Sequence, residues 1–131
     1  MQYLLDSHTF LWYISGSGEL SSKAKEIIST QNSELLISIA SLWEISLKHS
    51  LRKLEIKGTY DSIADDLTEN DIEILPIDFI HTKVQTKLHH YHKDPFDRII
   101  IAQALSENID IISKDEIFDL YFKGEGVKRI W

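Results

Sequence analysis

The chain has 131 residues, 43% of them apolar, with two prolines and no cysteine, and a formal net charge of −7. This length and composition fit one ordered domain over residues 1–131 and exclude a disordered tract, a disulfide scaffold, thiol chemistry and cysteine-ligated zinc. The net acidity argues against nonspecific nucleic-acid binding through whole-molecule charge.

In chain order, short apolar strands alternate with amphipathic helices. The opening "MQYLLDSHTF" has no basic leader and meets an acid at Asp6, so it does not read as a signal peptide. Within it, "YLLD" is a short strand ending in that acid. "SHTFLWYI" is a short helix, broken by Gly16 and Gly18, and "LSSKAKEIIST" is a helix starting near Ser21 or Ser22. "ELLISIA" reads as a buried strand, and "SLWEISLKHSLRK" as a helix in which Ser41 and Glu44 fit a capping box. "TYDSIADDLTEN" is a helix, "IEILPI" a strand, and "DFIHTKVQTKL" a helix followed by a histidine-rich loop. "DPFDRIIIAQALSEN" carries the clearest helix signal, with Asp94 as cap and Pro95 in the first turn. "IDIIS" is a strand, "DEIFDLYF" a short helix and "VKRIW" a last strand. No apolar run approaches membrane-spanning length, and a cytoplasmic protein with no membrane contact is expected.

Strands alternating with helices imply an α/β fold: a mostly parallel sheet of about five strands with helices on both faces. In such sheets ligands bind beyond the carboxyl ends of the strands. Asp6 ends the first strand, Glu44 lies early in the helix after the second, and Asp115 follows "IDIIS". Asp97 lies at the start of a helix that leads into a strand, and such a helix begins at the same edge. All four acids are therefore expected on one rim.

Each acid alone has a plainer reading. Asp6 and Asp115 fit caps of the helices that follow, and Glu44 and Asp97 fit the third position of capping boxes. Four converging carboxylates are harder to dismiss, because they repel unless a cation neutralises them. All-oxygen ligation suits a hard ion such as Mg²⁺ or Mn²⁺. The basic stretches "KHSLRKLEIKG" and "HTKVQTKLHHYHK" contrast with the acidic whole. As single segments they read as solvated faces. The "HHYH" segment lacks the spaced pairs of zinc sites and reads as a solvated or RNA-contacting loop. Trp12, Trp43 and Trp131 lie within apolar patterns and read as core or interface anchors.

The segments "LLDSHTFLW", "SIASLWEISLKHSLRKLEI", "LPIDFIHT", "HHYHKDPFDRIIIAQA", "IISKDEIFDLY" and the terminal "IW" together resemble a PIN-domain ribonuclease of the VapC toxin type, in order and over nearly the whole chain. The resemblance implies a PIN-like, Rossmann-like fold. It also implies an Mg²⁺- or Mn²⁺-dependent endoribonuclease acting on RNA, neutralised by a cognate antitoxin and forming a homodimer. The family's acidic site maps onto Asp6, Glu44, Asp97 and Asp115, with Asp94 and Ser113 in support. Ser7 stands where this subgroup often has Thr, and "HHYHK" holds more histidines than usual. Lys48, Arg52, Lys93 and Arg98 are candidate RNA contacts. Two other readings remain: a catalytically silent PIN-like module that binds RNA or protein, and another phosphoryl-transfer enzyme on an α/β sheet. A response-regulator receiver would need an acidic pair after the first strand, and a P-loop a glycine-rich GK[ST] motif; the chain has neither.

Overall fold

The computed structural model describes residues 1–131. Five strands form one sheet: β1 (Gln2–Leu5), β2 (Glu34–Ser38), β3 (Ile72–Leu75), β4 (Asp110–Ile112) and β5 (Arg129–Ile130). Their order is β3-β2-β1-β4-β5 and every pair is parallel, as expected from the alternating pattern. The chain builds outward from β1 through β2 to β3, then returns to the other side of β1 for β4 and β5. The boundary between β1 and β4 is thus the topological switch point, the place beyond the strand ends where open α/β sheets bind their ligands.

Seven helices cover the sheet: α1 (Ser7–Ser15), α2 (Ser22–Ser29), α3 (Ile39–Ser50), α4 (Ile63–Glu69), α5 (Phe79–Thr86), α6 (Pro95–Glu107) and α7 (Phe118–Phe122). Side chains alternate across the strands, and both faces are buried. Tyr3, Leu5, Leu35, Ile37 and Ile112 pack with Phe10, Ala24, Ile28, Ile45 and Leu67 from α1 to α4. Leu4, Leu36 and Ile111 pack on the other face with Ile100, Ile101 and Ala104 of α6 and Phe118 and Phe122 of α7.

Two local expectations are corrected. Helix α3 begins at Ile39, three residues before the expected capping box would allow, because Ser38 caps it by accepting from the Ala40 N–H at 3.0 Å. Ser41 lies buried in the first turn, its hydroxyl without a partner. The stretch at 59–70 is not one helix: a 3₁₀ turn at Tyr60–Ser62 precedes α4. At α6, Asp94 is the cap and accepts from the Phe96 and Asp97 N–H groups at 2.8 and 3.2 Å, with Pro95 in the first turn.

Candidate active site at the carboxyl edge

The end of β1 carries the chain from Leu5 into Asp6, which does two things at once. Its Oδ1 accepts from the Thr9 N–H at 2.8 Å and caps α1, while its Oδ2 accepts from the Ser113 hydroxyl at 2.5 Å. Ser113 follows β4, so this bond crosses the switch point. Only 7% of Asp6 is exposed, and burial raises its proton affinity; the bonds from Ser113 and Thr9 oppose that rise.

Glu44, buried in α3, takes no part in capping. Its Oε1 accepts from the Ser7 hydroxyl at 2.7 Å, and its Oε2 pairs with Lys48 Nζ at 2.8 Å. The two are one helical turn apart. The bond to Glu44 raises the Lys48 proton affinity, and the charges of Asp94 and Asp97 add to it. The ammonium therefore borders the acids.

Asp97 projects from the first turn of α6. Its Oδ2 lies 2.8 Å from His92 Nε2, which also meets Asp115 Oδ2 at 3.2 Å. Asp115 is positioned by the loop after β4: its N–H donates to Ser113 Oγ at 3.1 Å, and its Oδ1 accepts from the Ile117 N–H at 3.0 Å. Burial, and then the negative charges of Asp94, Glu44 and Asp6, push Asp97 up to about 7, against the pull of His92. Like charges raise a carboxyl only when they are close. That dependence ties Asp97 to the acids arriving from β1 and α3.

The structure thus brings Asp6, Glu44, Asp97 and Asp115 to one rim, with Asp94 and Ser113 bracing two of them. The donor set of oxygen atoms fits a hard divalent cation. Lys48 stands at the edge of the cluster, and Lys93 and Arg52 are exposed.

Arg98 requires a correction. It is buried, not available to RNA: its Nε donates to Gln85 Oε1, its Nη1 to the His89 and His92 carbonyls, and its Nη2 to the Gln85 and Leu88 carbonyls. The carbonyls of residues 85–92 turn inward, and only a buried guanidinium satisfies so many at once. His92 is corrected as well, since its ring sits against Asp97 and Asp115 and not in solvent. Its place two residues ahead of the Asp94 cap was the one signal in the sequence. A second histidine, His81, is fully buried beside Asp78 and Glu107. Its Nδ1 accepts from the Asp78 N–H and its Nε2 lies 2.8 Å from Glu107, so both ring nitrogens are spent on packing α5 against α6.

The family model of the PIN domain matches residues 3–122. The chain belongs to the PIN domain family. No curated protein matches the chain significantly. Among solved structures, VapBC2 from Rickettsia felis, bound to a DNA fragment from its promoter, superposes with a TM-score of 0.66 at 18% identity, covering 99% of this chain and 98% of that one. VapBC-1 from nontypeable Haemophilus influenzae gives 0.67 at 16%, covering 99% and 97%. A toxin–antitoxin complex from Klebsiella pneumoniae gives 0.64 at 20%, covering 95% and 94%. At such identities the likeness is one of fold, and this PIN domain shares that fold along its whole length. None of its helices is long and apolar enough to cross a membrane.

Proposed function

We propose that this PIN domain is an Mg²⁺- or Mn²⁺-dependent endoribonuclease and the toxin of a toxin–antitoxin pair. The observation that carries the reading is Asp97, raised first by burial and then by the charges of Asp94, Glu44 and Asp6 at the switch point of the sheet. A carboxylate cluster of this kind is costly without a counter-ion, and natural chains keep such clusters where a cation works.

Asp6, Glu44 and Asp97 hold the ion, directly or through water, and Asp115 completes the set or holds a second ion. A bound divalent ion neutralises charge on the transferring phosphate and makes water a competent nucleophile near neutral pH. The protein needs no covalent nucleophile. Ser113 and Ser7 orient Asp6 and Glu44 through the bonds described above. Lys48 offers its ammonium to a neighbouring RNA phosphate, with Lys93 and Arg52 as more distant contacts.

Similarity to the solved toxin–antitoxin complexes supports an antitoxin partner. A groove of about 280 Å³ beside His8, lined by Leu11, Trp12, Ile14, Leu54 and Ile56, offers an apolar seat for it. For a homodimer, α3 presents Ile39, Trp43, Leu47 and Leu51 at four-residue spacing on one exposed face.

The test is RNA cleavage by the purified chain in Mg²⁺, Mn²⁺ or EDTA, with the cut sites mapped. Cleavage that requires either ion and is suppressed by EDTA supports the reading. A folded, nuclease-free preparation that cleaves no RNA with either ion overturns it.

A further inference from the structure

His92 is held at more points than a surface loop histidine needs. Its backbone N–H donates to the Tyr121 hydroxyl at 2.8 Å, and its carbonyl accepts from Arg98 Nη1 at 3.3 Å. The same Tyr121 hydroxyl donates to the His89 carbonyl at 2.7 Å, so the turn is pinned at both ends. The ring packs against Phe118, with centroids 6.2 Å apart. Its Nδ1 accepts from the Asp94 N–H at 3.3 Å. A ring nitrogen that accepts carries no proton, so the proton of the neutral imidazole lies on Nε2. That N–H bonds to Asp115 Oδ2 at 3.2 Å, and the same nitrogen lies 2.8 Å from Asp97 Oδ2.

We propose that His92 is a positioning residue for metal binding: its Nε2–H holds the carboxylate of Asp115 beside that of Asp97, so that both stay within reach of a common ion. The inference rests on the nuclease reading above. Two carboxylates from separate elements repel when nothing lies between them, and a ring nitrogen bonded to one and set against the other keeps them together before the ion arrives. Groups that hydrogen-bond the ligating residues commonly govern affinity in this way. His92 is not itself a ligand. Coordination through Nε2 would move its proton to Nδ1, directly against the Asp94 N–H, and ligating histidines instead turn their second nitrogen to an acceptor. The reach of the side chain is what matters, because one ring nitrogen must lie against acids that belong to α6 and to the loop after β4.

Calorimetric titration of the purified chain with Mn²⁺ and with Mg²⁺ tests this, using His92→Leu, His92→Asn and His92→Gln. Melts in EDTA report the fold of each variant. Glutamine places an N–H at nearly the same distance from the backbone; asparagine is too short to reach both acids. The expected result is a loss of affinity of about 10- to 100-fold for both ions in the leucine and asparagine variants, with most of it recovered by glutamine. Should the leucine variant fail to fold, the asparagine and glutamine pair makes the same comparison. Tighter binding in the leucine or asparagine variant would show that His92 competes with the ion, and overturns the proposal. A loss confined to Mn²⁺ and not recovered by glutamine would make His92 a ligand, and also overturns it. Unchanged affinity in a variant of a wild type that binds the ion and cleaves RNA removes His92 alone. A wild type that binds neither ion removes the nuclease reading and the clamp together.

Discussion

The Ser113 hydroxyl donates to Asp6 Oδ2 at 2.5 Å, joining residues 107 positions apart across the boundary of β1 and β4. The bond supplies a donor to a buried carboxylate whose proton affinity is already raised. Ser113→Ala removes that donor, so Asp6 should hold its proton to still higher pH. Stability should fall by about 1–3 kcal/mol in urea titrations, the usual range for a buried acceptor that loses its partner. Cleavage should fall most at the acid end of the pH range. A pH–rate profile parallel to wild type would show that the bond does not tune Asp6.

Asp97→Asn should abolish nearly all cleavage while the fold persists. Its effect on stability depends on pH. Asp97 has an ordinary value of 3.8 and a folded value of about 7, so between those limits the folded chain binds the proton that the unfolded chain has released. The stability contributed by this group is therefore complete below about pH 4 and is lost as pH rises through 7. In EDTA, the melting temperature of the Asn variant should gain on wild type across that window and level off above it. A constant gap from pH 4 to pH 8 would show that Asp97 ionises normally.

Asp6→Asn removes one charge from the cluster and keeps a side chain able to cap α1. The metal-free variant should be as stable as wild type or more so. Saturating Mg²⁺ or Mn²⁺ should stabilise wild type by about 2.7 kcal/mol at a hundredfold excess over the dissociation constant, and the variant much less. Equal thermal shifts in the two proteins would take Asp6 out of the ion's contacts.

Arg98 and Lys48 should behave oppositely, although both are cations near the site. Arg98→Ala leaves the carbonyls of Leu88 and His92 without their donor and takes one of two donors from those of Gln85 and His89. It should cost about 2–3 kcal/mol in stability, the scale of bonds to a charged group. Lys48→Gln should leave stability nearly unchanged and lower the salt slope of RNA binding by about 0.7. Filter-binding titrations at several salt concentrations measure the slope. An unaltered slope would leave Lys48 as a partner of Glu44 only.

Trp43 is 62% exposed on α3 and meets Phe96 edge-on at 5.1 Å. Trp43→Glu places a charge in the middle of the apolar stripe and should convert a dimer into a monomer by light scattering at micromolar concentration. An unchanged mass would move the self-association surface elsewhere.

The fold was largely legible because its signals are local. Strands such as "ELLIS" are apolar on both faces, and the Asp94–Pro95 start of α6 is a strong cap. The rim position of Asp6, Glu44, Asp97 and Asp115 followed from chain direction alone. What was not legible depends on tertiary contacts. Ser38 and Ser41 are both plausible caps, and the burial of the turn between β2 and α3 chooses the first. Arg98 reads as a surface cation until the inward carbonyls of residues 85–92 are seen. His92 reads as a loop histidine for the same reason, since neither Tyr121 nor Asp115 is near it in sequence.

The placement of β1 at the middle of the sheet also bears on when the rim of acids can form during synthesis. Asp6 leaves the ribosome 107 residues ahead of its partner Ser113 and still further ahead of the rim acid Asp115. Between Asp6 and Asp115 lie roughly 5 to 20 seconds of synthesis at ordinary elongation rates. Until β4 joins β1 the set of rim acids is incomplete. A nascent chain that stops short of β4 therefore lacks the assembled rim. A partner that bound the chain while β4 was still docking would meet it before the rim is complete.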